Sequence, residues 1–165
     1  MDVRVRETNL GNAVADALLD YGQSDFTHKS NLAVTNGGGL RETIAKDKPI
    51  TKGDIIAVLP FGNSVAQIQV TGQNIYDMFV KSLGSILQVN ESGKNVFDEN
   101  GQPLLEPSGG FLQVAGARVY YDTTLPTEKR ILSIDILDPE TGVYKPLNTT
   151  ETYYLVTNDF LACWW

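Results

Sequence analysis

Two short segments carry the residues best suited to chemistry: Asn36-Gly37-Gly38-Gly39-Leu40-Arg41 and Leu59-Pro60-Phe61-Gly62-Asn63. Three consecutive glycines let a backbone turn tightly and approach a ligand, because no Cβ intervenes and positive φ carries no steric penalty. An arginine just beyond such a turn can present a planar fork of donors to an anion. The second segment breaks at a proline and leaves an aromatic ring and an amide at its tip. Together they suit a small anionic ligand with a flat group attached. Glycine turns and core phenylalanines are also ordinary structure, so a ligand role and a purely structural role both stand open at this point.

The remaining reactive residue types argue against catalysis by this chain. His28, between Thr27 and Lys29, is the only histidine, so no Ser/His/Asp or Cys/His arrangement can be assembled without it. Asp2, Asp16, Asp20, Asp25, Asp47, Asp54, Asp77 and Asp98 are scattered without metal-ligand spacing. A hydrolytic metal centre normally combines histidines with carboxylates. Cys163, the only cysteine, stands beside two tryptophans at the end of the chain and reads as a tail residue. It excludes an internal disulfide and a cysteine-based zinc cage. Phe160, in Thr157-Asn158-Asp159-Phe160 just after a strand, is a second aromatic expected at a strand tip.

A chain of 165 residues makes one domain with a core that needs no staples. Its 42% hydrophobic and 9% aromatic content is that of a globular protein. The net charge of −7 opposes a nucleic-acid polymer as partner, since a phosphate backbone requires clustered cations, whereas a mononucleotide needs only one or two arginines. No apolar run approaches the roughly 20 residues that cross a membrane, so membrane insertion is not expected.

The elements that must position these residues follow from periodicity and turn chemistry. Thr8-Asn9 followed by Leu10, Val14, Ala17, Leu18 and Tyr21 predicts a capped amphipathic helix with Gly22 past its end. Residues 32–34 and 54–59 predict buried strands, the second stopped by Pro60. Residues 64–70 alternate as a half-buried strand. Thr71-Gly72 opens a helix with Ile75, Phe79 and Leu83 on one stripe. Residues 87–109 predict a long exposed loop. Short strands follow at 111–115, 118–122, 130–137 and 153–156, with a hairpin turn at 138–142. No internal repeat or linker is evident. The expected fold is α+β, a mixed β-sheet packed with helices in a single domain.

Seven blocks occur in order: RVRETNLGNAVADA (4–17), NGGGLRE (36–42), GDIIAVLPFGN (53–63), VTG (70–72), SGGF (108–111), YDTT (121–124) and TNDFLA (157–162). This succession resembles the C-terminal domain of the 5'-nucleotidase family, over about residues 4–162. The resemblance implies a substrate-binding domain spanning residues 1–165, with an N-terminal metallophosphoesterase domain in cis that is absent from this chain. That partner domain is expected to hold two divalent metal ions and the catalytic groups, leaving no cofactor, no metal and no catalytic residue here. Position by position, Arg4 and Arg41 match arginines that contact the phosphate end of the substrate. Phe61 and Phe160 match two aromatics that sandwich the base, and Asn63 matches an amide that hydrogen-bonds it. The family block at 157–162 continues into Gly-Gly-Asp-Gly-Tyr, whereas this chain reads Cys163-Trp164-Trp165 and stops, so truncation before the usual end is expected.

The function so implied is nucleotide recognition for hydrolysis of nucleoside monophosphates to nucleoside and phosphate, in a bacterial extracellular or cell-surface enzyme. The expected ligand is a nucleoside monophosphate or nucleoside. A 2',3'-cyclic-nucleotide phosphodiesterase or a UDP-sugar hydrolase would share the domain. A dimerisation or interaction module without useful ligand affinity is the alternative of a different class.

Overall fold

The computed structural model describes residues 2–163. Helix α1 (Asn9–Ser24) leads to β1 (Leu32–Asn36), α2 (Lys52–Val58), β2 (Val65–Thr71) and α3 (Gly72–Ser82). The second half comprises β3 (Leu112–Ala115), β4 (Ala117–Tyr121), β5 (Ile131–Leu137), β6 (Tyr144–Pro146), β7 (Thr152–Asn158) and a last turn of helix, α4 (Asp159–Ala162). The strands form two sheets, a four-stranded mixed sheet in the order β2-β7-β1-β3 and a three-stranded antiparallel sheet in the order β4-β5-β6. The α+β class expected from the sequence is the class observed.

Alternation along β1 explains the layering. Leu32 and Val34 join Ile75, Met78 and Phe79 of α3 and Ile134 and Ile136 of β5 in the main core. Ala33 points the other way, against Ala15 and Leu19 of α1, with Ala115 and Val156 beside it. The large sheet is thus covered by α1 on one face and by α3 and the small sheet on the other. Helix α1 runs through Gly22 to Ser24 rather than ending before it. Gly22 is buried, and a Cβ there would sit 2.6 Å from both Ser30 Oγ and Val156 Cγ1. It is a contact glycine, and the signal that resembled a helix stop came from packing.

Residues 54–59, expected as a strand, fold instead as α2. Ile55, Ile56 and Val58 favour a strand locally, but a capping box overrides them. Thr51 Oγ1 accepts from Asp54 N–H at 3.2 Å, and the Asp54 carboxylate accepts from Thr51 N–H at 2.9 Å. Lys48 Nζ adds a contact to Asp54 at 3.1 Å. These bonds, the Thr51 hydroxyl first, hold the Asp54 carboxyl at about 2. Lys145 and the turn N–H groups hold Asp138, at the hairpin between β5 and β6, at about 2 as well. A carboxyl depressed in the folded chain stabilises it fully above the unfolded value and loses that contribution as pH falls through the folded value. The thermal midpoint should therefore hold down to about pH 4 and drop as acid approaches pH 2. Asp54→Asn should flatten part of that drop. Unchanged melting from about pH 4 to 2 in the parent would show that neither carboxyl contributes.

The predicted long loop is folded, and it contains a repeat that composition does not reveal. Asn90 Oδ1 accepts from the N–H groups of Ser92 and Lys94, and eight residues later Asp98 Oδ1 accepts from Asn100 and Gln102. Gly93 and Gly101 occupy the same place in each turn, at φ 73 and 77. The N–H groups of Val96, Leu104 and Gln88 donate to the carbonyls of Gln88, Val96 and Leu104 respectively, closing a ring of three bonds. Arg130 anchors the base. It is 6% exposed, and its guanidinium donates to the carbonyls of Leu83, Ser85 and Leu125. Helix α3 therefore ends on a buried cation, which suits the negative end of its dipole.

Candidate functional site

Strand direction creates a cleft at one edge of the large sheet. β1 and β7 are parallel neighbours, and both end there, β1 at Asn36 and β7 at Asn158. Antiparallel β2 and β3 begin at the same edge, with Val65 opposite Asn158 and Leu112 opposite Asn36. Four loops therefore meet over the ends of four strands. They bound a cleft of about 660 Å³, a volume typical of a small-molecule site.

The glycine segment forms one wall. Gly37 N–H donates to Phe111 O at 2.7 Å and Gly38 N–H to Gly109 O at 2.9 Å, so the glycine turns before β3 and after β1 lie against each other. Asn36 bridges the same loops: its Nδ2 donates to Gly109 O at 3.3 Å, and its Oδ1 accepts from Asn158 Nδ2 at 3.4 Å. Gly37 admits no side chain, because a Cβ would stand 2.1 Å from Val3 O. The bare backbone of Gly38, Gly39, Gly109 and Gly110 faces the cleft.

Phe61 and Asn63 come from the turn between α2 and β2. Leu59 N–H closes α2 on Ile55 O, Pro60 prevents its continuation, and Gly62 at φ 62 reverses the chain. Arg41 N–H donates to Val58 O at 2.9 Å, tying this turn to the glycine segment. Phe160 opens α4, whose first turn is capped by Asn158 Oδ1 accepting from Leu161 N–H at 2.8 Å. Both rings line the cleft and remain open to solvent, at 58% exposure for Phe61 and 52% for Phe160. Large aromatics left half-exposed beside an apolar floor of Met78, Leu112 and Leu161 are a binding surface rather than a core.

Arg41 stands at the rim rather than in the lining. Its guanidinium lies 5.6 Å from the Phe61 ring centroid, and Nη1 donates to Gly38 O at 3.4 Å. Four of the five residues singled out from sequence thus gather at one place: Phe61, Asn63 and Phe160 in the lining, with Arg41 over Phe61. Arg4 is not among the lining residues. It ends a 3-10 turn over Asp2–Arg4 whose backbone packs on Gly37, and its Nε is buried without a hydrogen-bond partner. Asn36, Lys81 and Ser82 complete the lining and were not singled out. Asn36 heads the glycine motif and its amide type was a usable signal. Lys81 and Ser82 sit at the end of α3 and carry no local mark. Among the described residues, no group of three His, Cys, Asp or Glu side chains could hold a metal ion. No chemical step in this domain is routed through one. His28 is exposed and stacks on Tyr154 with centroids 4.3 Å apart, well away from the cleft lining. Cys163 is exposed, and Trp164 and Trp165 lie outside the described residues. No helix among the described residues is long and apolar enough to cross a membrane.

Known proteins share this architecture. A solved structure, the 5'-nucleotidase precursor from Thermus thermophilus, superposes with a TM-score of 0.75 at 33% identity, covering 97% of this chain and 27% of that one. The trifunctional nucleotide phosphoesterase protein YfkN of Bacillus subtilis is 33% identical over 160 residues, 97% of this chain and 9% of its own length. The human 5'-nucleotidase is 29% identical over 96% of this chain and 26% of its own length. The chain therefore spans about a quarter or less of these relatives, which are hydrolases with further domains. The family model for the 5'-nucleotidase C-terminal domain matches residues 1–163, and this chain belongs to that family.

Proposed function

We propose that this domain recognises a nucleoside monophosphate for a metallophosphoesterase domain in cis, which would use two divalent metal ions to release the phosphate. In this reading Phe61 and Phe160 stack on the base and Asn63 hydrogen-bonds its edge. Arg41 offers its guanidinium to the phosphate end. Arg4 would support the same end of the ligand, from behind the glycine turn. The observation that carries the proposal is the gathering of Arg41, Phe61, Asn63 and Phe160 at one cleft although they are spread over 119 positions of sequence. Bare glycine backbone opposite two exposed rings suits a flat base beside an anion. The enzyme is proposed to work outside the cell or at its surface, in a bacterium.

Affinity in the isolated domain should be weak, because the ligand is shared with the other domain. Two aromatic faces and an exposed cation offset little more than the cost of immobilising a small ligand, which gives a Kd around 1 mM. The test is ligand-observed NMR at fixed salt with adenosine and AMP. Arg41→Ala should remove most of the preference for AMP and leave adenosine binding nearly unchanged. Equal weakening of both ligands would make Arg41 a structural residue of the turn and refute its phosphate role.

A further inference from the structure

The chain carries an uncharged stretch from Ile55 to Tyr76, twenty-two residues between Asp54 and Asp77, although 20% of all residues are charged. Its surface is apolar: Ile55, Ile56, Leu59 and Val65 are each at least 38% exposed. The stretch includes all of β2, an edge strand of the large sheet that pairs only with β7. Edge strands are ordinarily blunted by lysine, proline or a bulge, because unpaired N–H and C=O groups recruit another strand. β2 has none of these. Its seven residues are Val-Ala-Gln-Ile-Gln-Val-Thr, in unbroken register with β7 and with no residue fully buried.

The unpaired groups can be assigned. Asp159 N–H donates to Ser64 O and Gly72 N–H to Glu151 O, so in the antiparallel register the even-numbered residues of β2 bond to β7. Tyr154, opposite Gln69, exchanges its bonds with Asn31 instead. The N–H and C=O groups of Val65, Gln67 and Gln69 therefore face outward, without a hydrogen-bond partner among the described residues.

We propose that β2 pairs antiparallel with β2 of a second copy of this chain, across a two-fold axis at Gln67, to give one continuous sheet through both copies. In that register Gln67 exchanges two hydrogen bonds with its counterpart and Val65 exchanges two with Gln69, using all the outward groups at once. Charge selects the occupant. A chain of net charge −7 repels its own copy through most of its surface. The two-fold at Gln67 brings together only uncharged residues, so identical chains meet there without carboxylates opposed. Beside the strand, Ile68, Val70, Asn74 and Ala162 line a shallow groove of about 360 Å³. Two such grooves join across the axis and are covered by the partner's Ala66 and Ile68 faces.

Sedimentation equilibrium on the complete chain, from about 10 μM to 1 mM, measures the association. Amide hydrogen exchange at both ends of that range reads its geometry. A reversible dimer is expected, with the Val65, Gln67 and Gln69 amides slowing at least tenfold on concentration while Ala66, Ile68 and Val70 stay protected throughout. Gln69→Pro removes one outward N–H and no bond to β7, so it should weaken the dimer about tenfold or more with little change in melting temperature. The exchange pattern of the unmodified chain tests the proposal even if that variant folds poorly. A chain monomeric at the top of the range would overturn it, as would a dimer whose three outward amides exchange as fast as in the monomer. Adenosine binding involves the cleft and is read separately, so failure of either proposal leaves the other intact.

Discussion

Phe61→Ala combined with Phe160→Ala is expected to abolish measurable binding of adenosine and AMP alike. Each aromatic face stacked on a base is worth about 1–3 kcal/mol, so losing both weakens binding at least thirtyfold, from millimolar to beyond detection. The fold should survive. Both rings are more than half exposed, and truncating exposed side chains changes stability by roughly 0.5 kcal/mol. Truncation of Phe61 also removes the ring beneath the Arg41 guanidinium, an interaction worth about 0.5–1 kcal/mol at an exposed site. Ligand-observed NMR combined with a thermal melt separates the two effects. A double variant that melts like the parent and still binds adenosine as well as the parent would place the ligand elsewhere.

The second large effect is structural, and it originates behind the glycine wall. Gly37→Ala should destabilise the domain by about 3 kcal/mol, lowering its thermal midpoint by roughly 6–12 °C. The added Cβ would lie 2.1 Å from Val3 O and 2.8 Å from Val3 C, both backbone atoms with no rotamer to escape into. Val3 is held in place from other sides. Its carbonyl accepts from the buried Gln113 side chain at 3.1 Å, and its side chain packs with Leu40 and Val58. Relief of the clash must therefore move the 3-10 turn at Asp2–Arg4 or pull Gly37 from Phe111. Gly39→Ala is the matched control: its Cβ would meet only the Asn36 side chain, at 3.1 Å. Melting curves of the two variants should differ clearly. If Gly37→Ala melts within a degree or two of Gly39→Ala, the close approach to Val3 does not hold the turn.

The legible parts of this fold are those encoded over a few neighbouring residues. Thr8 and Thr71 announce the starts of α1 and α3 because a side-chain oxygen and an N–H three residues on suffice to make a cap. The alternation in residues 64–70 shows β2 because one face is wet and the other half-buried. Where two local signals conflict, the outcome depends on their strengths. At α2 the β-branched residues suggest a strand, yet the box between Thr51 and Asp54 satisfies the first orphan N–H groups and the helix wins. At Gly22 the glycine suggests a stop, yet the helix continues because Val156 needs the space. The tandem turns at Asn90 and Asp98 escape notice because their likeness lies in hydrogen bonding, not in residue identity.

Sequence by itself determined the residue types, the family blocks and the short-range caps and turns that set most elements. It thereby marked Arg41, Phe61, Asn63 and Phe160. Only the tertiary structure decided that these four meet while Arg4 lies behind the wall, and that Asn36, Lys81 and Ser82 join them. The physical reason is register. Asn36 and Asn158 end at one edge because β1 and β7 pair in parallel across 122 positions of sequence. That pairing is selected by burial of both sheet faces, a property of the assembled layers that no short window of residues contains.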